Sequence, residues 1–100
     1  MIVRTWRGRT TSAWADAYPR HFHHTVMAEL KAIPGFLGAD LLKEEKDGQV
    51  EYFVLTRWAS REAIKAFAGD DYEQAVVEPE AVAALDDFDR TVRHYETVEP

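Results

Sequence analysis

The segment Glu51–Trp58, EYFVLTRW, constrains the fold of this chain more than any other. Tyr52, Phe53, Val54 and Leu55 stand in a row, so a strand here is apolar on both faces. A strand reads that way when each face of its sheet is covered. One chain of 100 residues with few helices covers one face. The other face calls for a second subunit, which also adds stability to a chain whose own core is modest.

The flanking segments supply the rest of the sheet. Ile2–Arg7 alternates Ile2, Arg4 and Trp6 against Val3, Thr5 and Arg7 and reads as a first strand. After Gly8 and Arg9, one of Thr10, Thr11 or Ser12 is expected to cap a helix. Over Ala13–Ile33, the residues Trp14, Tyr18, Phe22, Val26, Leu30 and Ile33 recur at helical spacing. Pro19 should kink or divide this helix, and Pro34-Gly35 stops it. Phe36–Glu44 reads as a second strand, joined through the hairpin signal Asp47-Gly48 to the strand at Glu51–Trp58.

Ser60 caps a second helix with Ala63, Ile64, Phe67 and Ala68 inward, and Gly69 ends it. Asp71 and Gln74 resemble a capping box for a short helix through Val77, and Pro79 suits the first position of one more helical turn. Phe88–Thr97 alternates as a last strand. The order β-α-β-β-α-(α)-β fits a ferredoxin-like split βαβ plan with a four-stranded antiparallel sheet. Its first and third strands are central, so the doubly apolar strand falls where the plan needs it. Helices then cover one face, and two subunits close the other into a dimeric α/β barrel. One domain over residues 1–100 is expected.

A net charge of −6 with no basic run argues against a nucleic-acid partner. Without cysteine there is no disulfide, thiol nucleophile or thiolate metal site. The opening MIVRTW lacks the apolar core of an export signal, and no apolar run reaches the length of a membrane span. A cytoplasmic protein with no membrane partner is expected. Phosphate loops, nucleophile elbows and dinucleotide fingerprints are absent from the sequence.

Five segments carry a family resemblance: Arg4-Thr5-Trp6-Arg7-Gly8, Ile33-Pro34-Gly35-Phe36, Leu55-Thr56-Arg57-Trp58-Ala59-Ser60, Ala63–Gly69 and Val92-Arg93-His94-Tyr95-Glu96. In this order and spacing the chain resembles a small antibiotic-biosynthesis monooxygenase domain of the dimeric α/β-barrel superfamily. The resemblance implies the fold more specifically than the activity, since one fold hosts unrelated chemistries. Relatives include oxygenases that oxidise phenols or quinols without metal or flavin, and enzymes that degrade haem. For the former the resemblance implies an apolar pocket between helices and sheet, help with substrate deprotonation, and exclusion of water. The haem branch is marked by an asparagine on the first strand, a tryptophan on the second helix and a histidine ten residues beyond. Anchored on Trp58-Ala59-Ser60, these positions hold Arg7 or Trp6, Phe67 and Val77. The haem triad is therefore missing.

Among the candidate site residues, His94 on the last strand has an imidazole suited to taking a phenolic proton near neutral pH. The plainer alternative is a hydrogen-bonded structural histidine. Trp6 and Trp58, at ends of inferred central strands, suit stacking on a flat ligand, or else seal the core. Tyr52 and Tyr72 suit a hydrogen bond to a substrate hydroxyl, or plain packing. Arg4, Arg7 and Arg57 are unusual within strands. Each wants a carboxylate such as Asp40 or Asp89, or holds an anion or developing phenolate. Parity groups Arg4 with Trp6, and Arg57 with Phe53 and Leu55.

His21, His23 and His24 raise a metal site, but only His21 and His24 have the spacing for one helical face. A solvated flank is the simpler reading, with His21 or His23 at a pocket mouth. The acidic run Glu78–Asp89 reads as a solvated face.

The expectation is a cofactor-independent monooxygenase acting on a small aromatic phenol or quinol. His94 is its catalytic base, and Trp6, Trp58, Tyr72, Arg4 and Arg57 bind substrate. No cofactor or metal is expected, and the partners are the substrate and a second copy of the chain. The alternatives are a non-catalytic small-molecule-binding module and a dimerising unit whose cavity is filled by its own side chains.

Overall fold

In the computed structural model, which describes residues 1–98, one antiparallel sheet carries helices on a single face. Its long strands are β1 (Ile2–Thr11), β2 (Phe36–Lys46) and β3 (Gln49–Trp58). Two short strands, β4 (Asp87–Phe88) and β5 (Arg93–Glu96), both pair with β1. The order is β2-β3-β1, with β4 and β5 sharing the far edge, so β1 and β3 are central as the split βαβ plan requires. At the tip of the β2–β3 hairpin Asp47 and Gly48 have φ of 53° and 78°, the left-handed pair that this tight turn demands.

Register decides what each face presents. Arg4 lies opposite Thr56, Trp6 opposite Val54 and Gly8 opposite Tyr52. On β3 burial alternates strictly, with Val50, Tyr52, Val54, Thr56 and Trp58 buried beneath the helices. Phe53, Leu55 and Arg57 project from the opposite face and are half-buried. The doubly apolar strand therefore has one covered face and one open face in the single chain.

The helical stretch after β1 comes in pieces. A 3-10 turn at Ser12–Trp14 leads to α1 (Ala17–His21), a π-helical segment at Phe22–Val26, and α2 (Met27–Lys31). Pro19 does not divide the helix. It sits in the first turn of α1, where a missing N–H costs no hydrogen bond. The irregularity is the π segment that follows. Trp14 lies outside the apolar stripe and is exposed. The capping expected of Thr10, Thr11 or Ser12 does not form; Ser12 Oγ instead donates to Glu45 Oε1 at 2.7 Å.

Ser60 caps α3 (Arg61–Ala68) by accepting from the Ala63 N–H at 3.2 Å, and Gly69, with φ of 83°, ends it. Pro79 opens α4 (Pro79–Ala84). Two expectations need correction. Asp71–Val77 is not a helix: it runs as a strap in which Gln74 bridges Thr91. Phe88–Thr97 is not one strand, because the chain leaves β1 after Phe88 and rejoins at Arg93. Between these points the Ala75 N–H donates to Arg90 O at 2.9 Å and the Val92 N–H to Glu73 O at 2.8 Å. The strap has taken the ladder bonds that a continuous fourth strand would have made.

The core divides into two clusters beneath the helices. Tyr18, Phe22, Val50, Tyr52, Val54, Ala81 and Leu85 form one, and Leu30, Trp58, Ala63 and Ile64 the other. No helix among the described residues is long and apolar enough to cross a membrane.

Candidate functional site

Where the two clusters adjoin, a cavity of about 60 Å³ lies between helices and sheet. Its floor is β1 and β3, with Arg4, Trp6, Val54 and Thr56. Tyr18, His21 and Phe22 form the helix side, and Phe67 an end wall. The strap closes it with Val76, Val77 and Glu78. Pockets for drug-sized ligands span about 300–1,000 Å³. The cavity, which opens partly to solvent beside the exposed Val76, is therefore far too small for a polycycle as it stands.

Arg4 is the buried cation in this wall, which also carries the partly exposed carboxylate of Glu78. Arg4 is 6% exposed, on the helix-covered face of the central strand. Its Nη1 donates to the carbonyl of Tyr72, and its Nη2 to that of Gln74 at 3.1 Å. Nη1 also lies 3.0 Å from His94 Nε2. A guanidinium only donates, so Nε2 accepts and the His94 proton sits on Nδ1. Burial lowers the Arg4 pKa to about 10, leaving the cation intact at neutral pH. Arg4 thus ties the central strand to the strap that closes the cavity. Trp6 makes a parallel tie: its indole N–H donates to Asp89 O at 2.7 Å, where the chain leaves β1.

Of the residues expected to bind substrate or act on it, Arg4 and Trp6 meet at the cavity, and the other four lie elsewhere. Trp58 is fully buried, packs between Phe36 and Phe67, and donates from Nε1 to Thr56 Oγ1 at 2.8 Å. Arg57 is on the open face, 2.6 Å from Asp40 Oδ2, in the ion pair weighed as its alternative. Tyr72 is on the strap, its ring 5.0 Å from that of His94.

His94 lines a surface depression with Arg61, Glu73 and Tyr95 rather than the cavity. Burial, then the charges of Arg4 and Arg61, hold its pKa down to about 4. Its one basic lone pair already receives a bond from Arg4. A group so engaged and so weakly basic is poorly matched to removing a phenolic proton near pH 7.

His21, treated above as at most a pocket-mouth residue, is the imidazole in the cavity wall. It is 7% exposed and shares the inner face of α1 with Tyr18 and Phe22. Its Nδ1 is 3.1 Å from Glu80 Oε2, and its buried Nε2 has no hydrogen-bond partner among the described residues. The i, i+3, i+4 spacing of Tyr18, His21 and Phe22 holds this signal, since it places His21 beside two members of the apolar stripe. His23 and His24 are exposed, and no group of three or more metal-ligating side chains occurs among the described residues.

Residues 1–79 match the sequence profile of the family described as antibiotic biosynthesis monooxygenase. The chain belongs to that family. Its backbone resembles that of SnoaB, a cofactor-independent oxygenase from Streptomyces nogalater, with a TM-score of 0.66 at 20% identity over 99% of this chain and 95% of that one. It also resembles the heme-degrader MhuD from Mycobacterium tuberculosis, solved with two hemes in its active site. There the TM-score is 0.64 at 25% identity, covering 100% of this chain and 98% of that one. Among curated proteins, a mycobilin-producing heme oxygenase from Mycobacterium tuberculosis is 45% identical over 49 residues, 49% of this chain and 45% of its own. The chain thus spans about half the length of the curated relatives it matches. Fold and family follow from these likenesses, and the family is one of oxygenases.

Proposed function

We propose that this family member is a cofactor-independent oxygenase of a small phenol or quinol, bound between the helices and the sheet. The observation that carries the reading is a buried cation, Arg4, in the wall of an otherwise largely apolar cavity. Such a wall favours a flat aromatic body with one ionisable oxygen, and a fixed cation stabilises the phenolate. Phenolates give up electrons to oxygen far more readily than phenols, so the protein's tasks are to bind, deprotonate and exclude water. Trp6 and Phe67 supply flat walls. Tyr72 acts through the strap and His94 through Arg4. Trp58 and Arg57 take structural roles, one in the core and one on the open face.

The test is oxygen uptake with hydroquinone and its methyl-substituted forms, in chelator-treated buffer, against the rate without protein. Uptake above that background supports the reading. Bound ligand without added uptake overturns it in favour of a binding module.

Haem as substrate fits these residues poorly. Val77 and Phe67 line the cavity at the positions where the haem branch carries its iron-binding histidine and its tryptophan. Valine offers iron no ligand. Titration with haemin checks this, and a shifted Soret band at one equivalent would reinstate the haem reading.

The open sheet face supports pairing with a second copy. It presents Val3, Leu42, Phe53, Leu55 and Tyr95, with Leu42 and Tyr95 about half exposed. Sedimentation at micromolar concentration tests it; a monomer would refute it.

A further inference from the structure

We propose that His21, oriented by Glu80, is the group that accepts the proton of the substrate hydroxyl. This deepens the oxygenase reading and rests on it. Glu80 Oε2 lies 3.1 Å from His21 Nδ1, and a carboxylate accepts, so Nδ1 carries the hydrogen. In the neutral ring the lone pair is then on Nε2. That atom is buried in a cavity-lining side chain and has no hydrogen-bond partner among the described residues.

A buried polar atom left unmatched is costly and calls for an explanation. A ligand hydroxyl in the cavity supplies the missing bond. Proton transfer breaks the phenol O–H, forms Nε2–H and leaves the electron pair on the phenolate oxygen. The imidazolium so formed faces two carboxylates, Glu80 at 3.1 Å and Glu78 Oε1 at 4.0 Å from Nε2. Arg4, in the same wall, is the cation available to the phenolate.

Three features place His21 there. Tyr18, with its ring 6.3 Å away, and Phe22 hold the same helical face inward. Pro79 starts α4 so that Glu80 falls in its first turn, beside α1. The π-helical segment begins at the residue after His21, a distortion frequent at functional sites. Glu80 is exposed, so it serves as a positioning residue at the rim and not as a buried charge. His94, the alternative base, has its Nε2 occupied by Arg4 and lines a different depression.

The test uses the intact protein and 4-nitrophenol, whose anion absorbs in the visible, at a pH where the free probe is mostly neutral. Wild type should bind it with a phenolate-to-phenol ratio about tenfold or more above that in His21→Gln, the scale on which a neighbouring charge moves an ionisation. Glu80→Gln should lower the ratio with little change in affinity. His24→Gln, altering an exposed histidine one turn on, should behave as wild type.

Nitrogen-15 NMR of the wild-type His21 ring provides a readout free of any folding defect. The Nε2 resonance should move from the unprotonated towards the protonated position as probe is added. Equal phenolate ratios in wild type and His21→Gln, or an unmoved Nε2 resonance with probe bound, would overturn the role of His21 and leave the oxygenase reading standing. Failure of wild type to bind the probe at all would overturn both.

Discussion

Protonating His94 sets an imidazolium against Arg4, and the cost is readable in the pH dependence of stability. Burial, Arg4 and Arg61 together lower its pKa from 6.5 to about 4. An unfolded chain takes up this proton near pH 6.5, whereas the folded one waits until about 4. Between those values the unfolded state binds more protons, so stability rises with pH there. The contribution is complete above pH 6.5 and is lost as pH falls toward 4. At about 1.4 kcal/mol per pH unit the whole gap is worth roughly 3 kcal/mol. Water reaches part of the ring, and screening reduces the expected effect to about 1–2 kcal/mol.

His94→Gln keeps an oxygen acceptor for Arg4 but does not titrate. Urea unfolding of both proteins at about pH 7.5 and about pH 4.5 should show wild type losing about 1–2 kcal/mol more than the variant. Carboxylates common to both cancel in that difference. Parallel pH dependences would refute the reasoning, as would a His94 ring titrating near 6.5 by proton NMR.

Arg4→Leu removes two part-buried charge-assisted hydrogen bonds to the Tyr72 and Gln74 carbonyls and should cost about 2 kcal/mol, a fall in Tm of roughly 8–16 °C by calorimetry; a loss below about 1 kcal/mol would show the strap held by other means. Ser60→Ala removes the cap of α3 and should cost about 1 kcal/mol in urea unfolding, with no loss if that helix end is satisfied by water. Asp40→Asn should change stability by less than about 0.5 kcal/mol, because its pair with Arg57 is largely exposed, and a larger loss in the same assay would give Arg57 a weightier role. Phe53→Glu places a charge at the centre of the open face and should shift sedimentation from dimer toward monomer; an unchanged dimer would place the interface elsewhere.

Elements whose ends are set by local chemistry were legible from sequence. Asp47-Gly48 is the hairpin turn, Ser60 and Gly69 bound α3, and Pro79 opens α4, each through an interaction spanning a few residues. The failures have non-local causes. Phe88–Thr97 alternates as a strand should, yet it breaks where the strap pairs with it and where Trp6 takes the Asp89 carbonyl. Asp71–Val77 carries capping residues. They make only a turn, with the Gln74 N–H on Asp71 O at 3.1 Å, because beyond it Gln74 meets Thr91, Arg4 takes the carbonyls of Tyr72 and Gln74, and Val76 and Val77 reach the cavity. No short window of sequence contains both partners of such contacts.

The site follows the same division. Strand parity already grouped Arg4 with Trp6, and Arg57 with Phe53 and Leu55, while leaving open which group goes under the helices. The helices cover the parity of β3 that carries no charge, Val50 to Trp58, and leave Glu51 and Arg57 on the open side. Pairing then forces the choice on β1: Arg4 lies opposite Thr56 and must go under the helices, although Val3 and Thr5 are the less polar neighbours. A cation in that position is stable only with acceptors brought to it, and the strap carbonyls are those acceptors. His21 is a further ionisable side chain buried in that wall, and a local reading places it only at a pocket mouth for the same reason. Whether a buried polar atom is matched depends on residues far along the chain, here Glu78 and Glu80. Arg4 has its partners. His21 Nε2 lacks one, and that difference separates a group holding the fold together from one left free to meet a ligand.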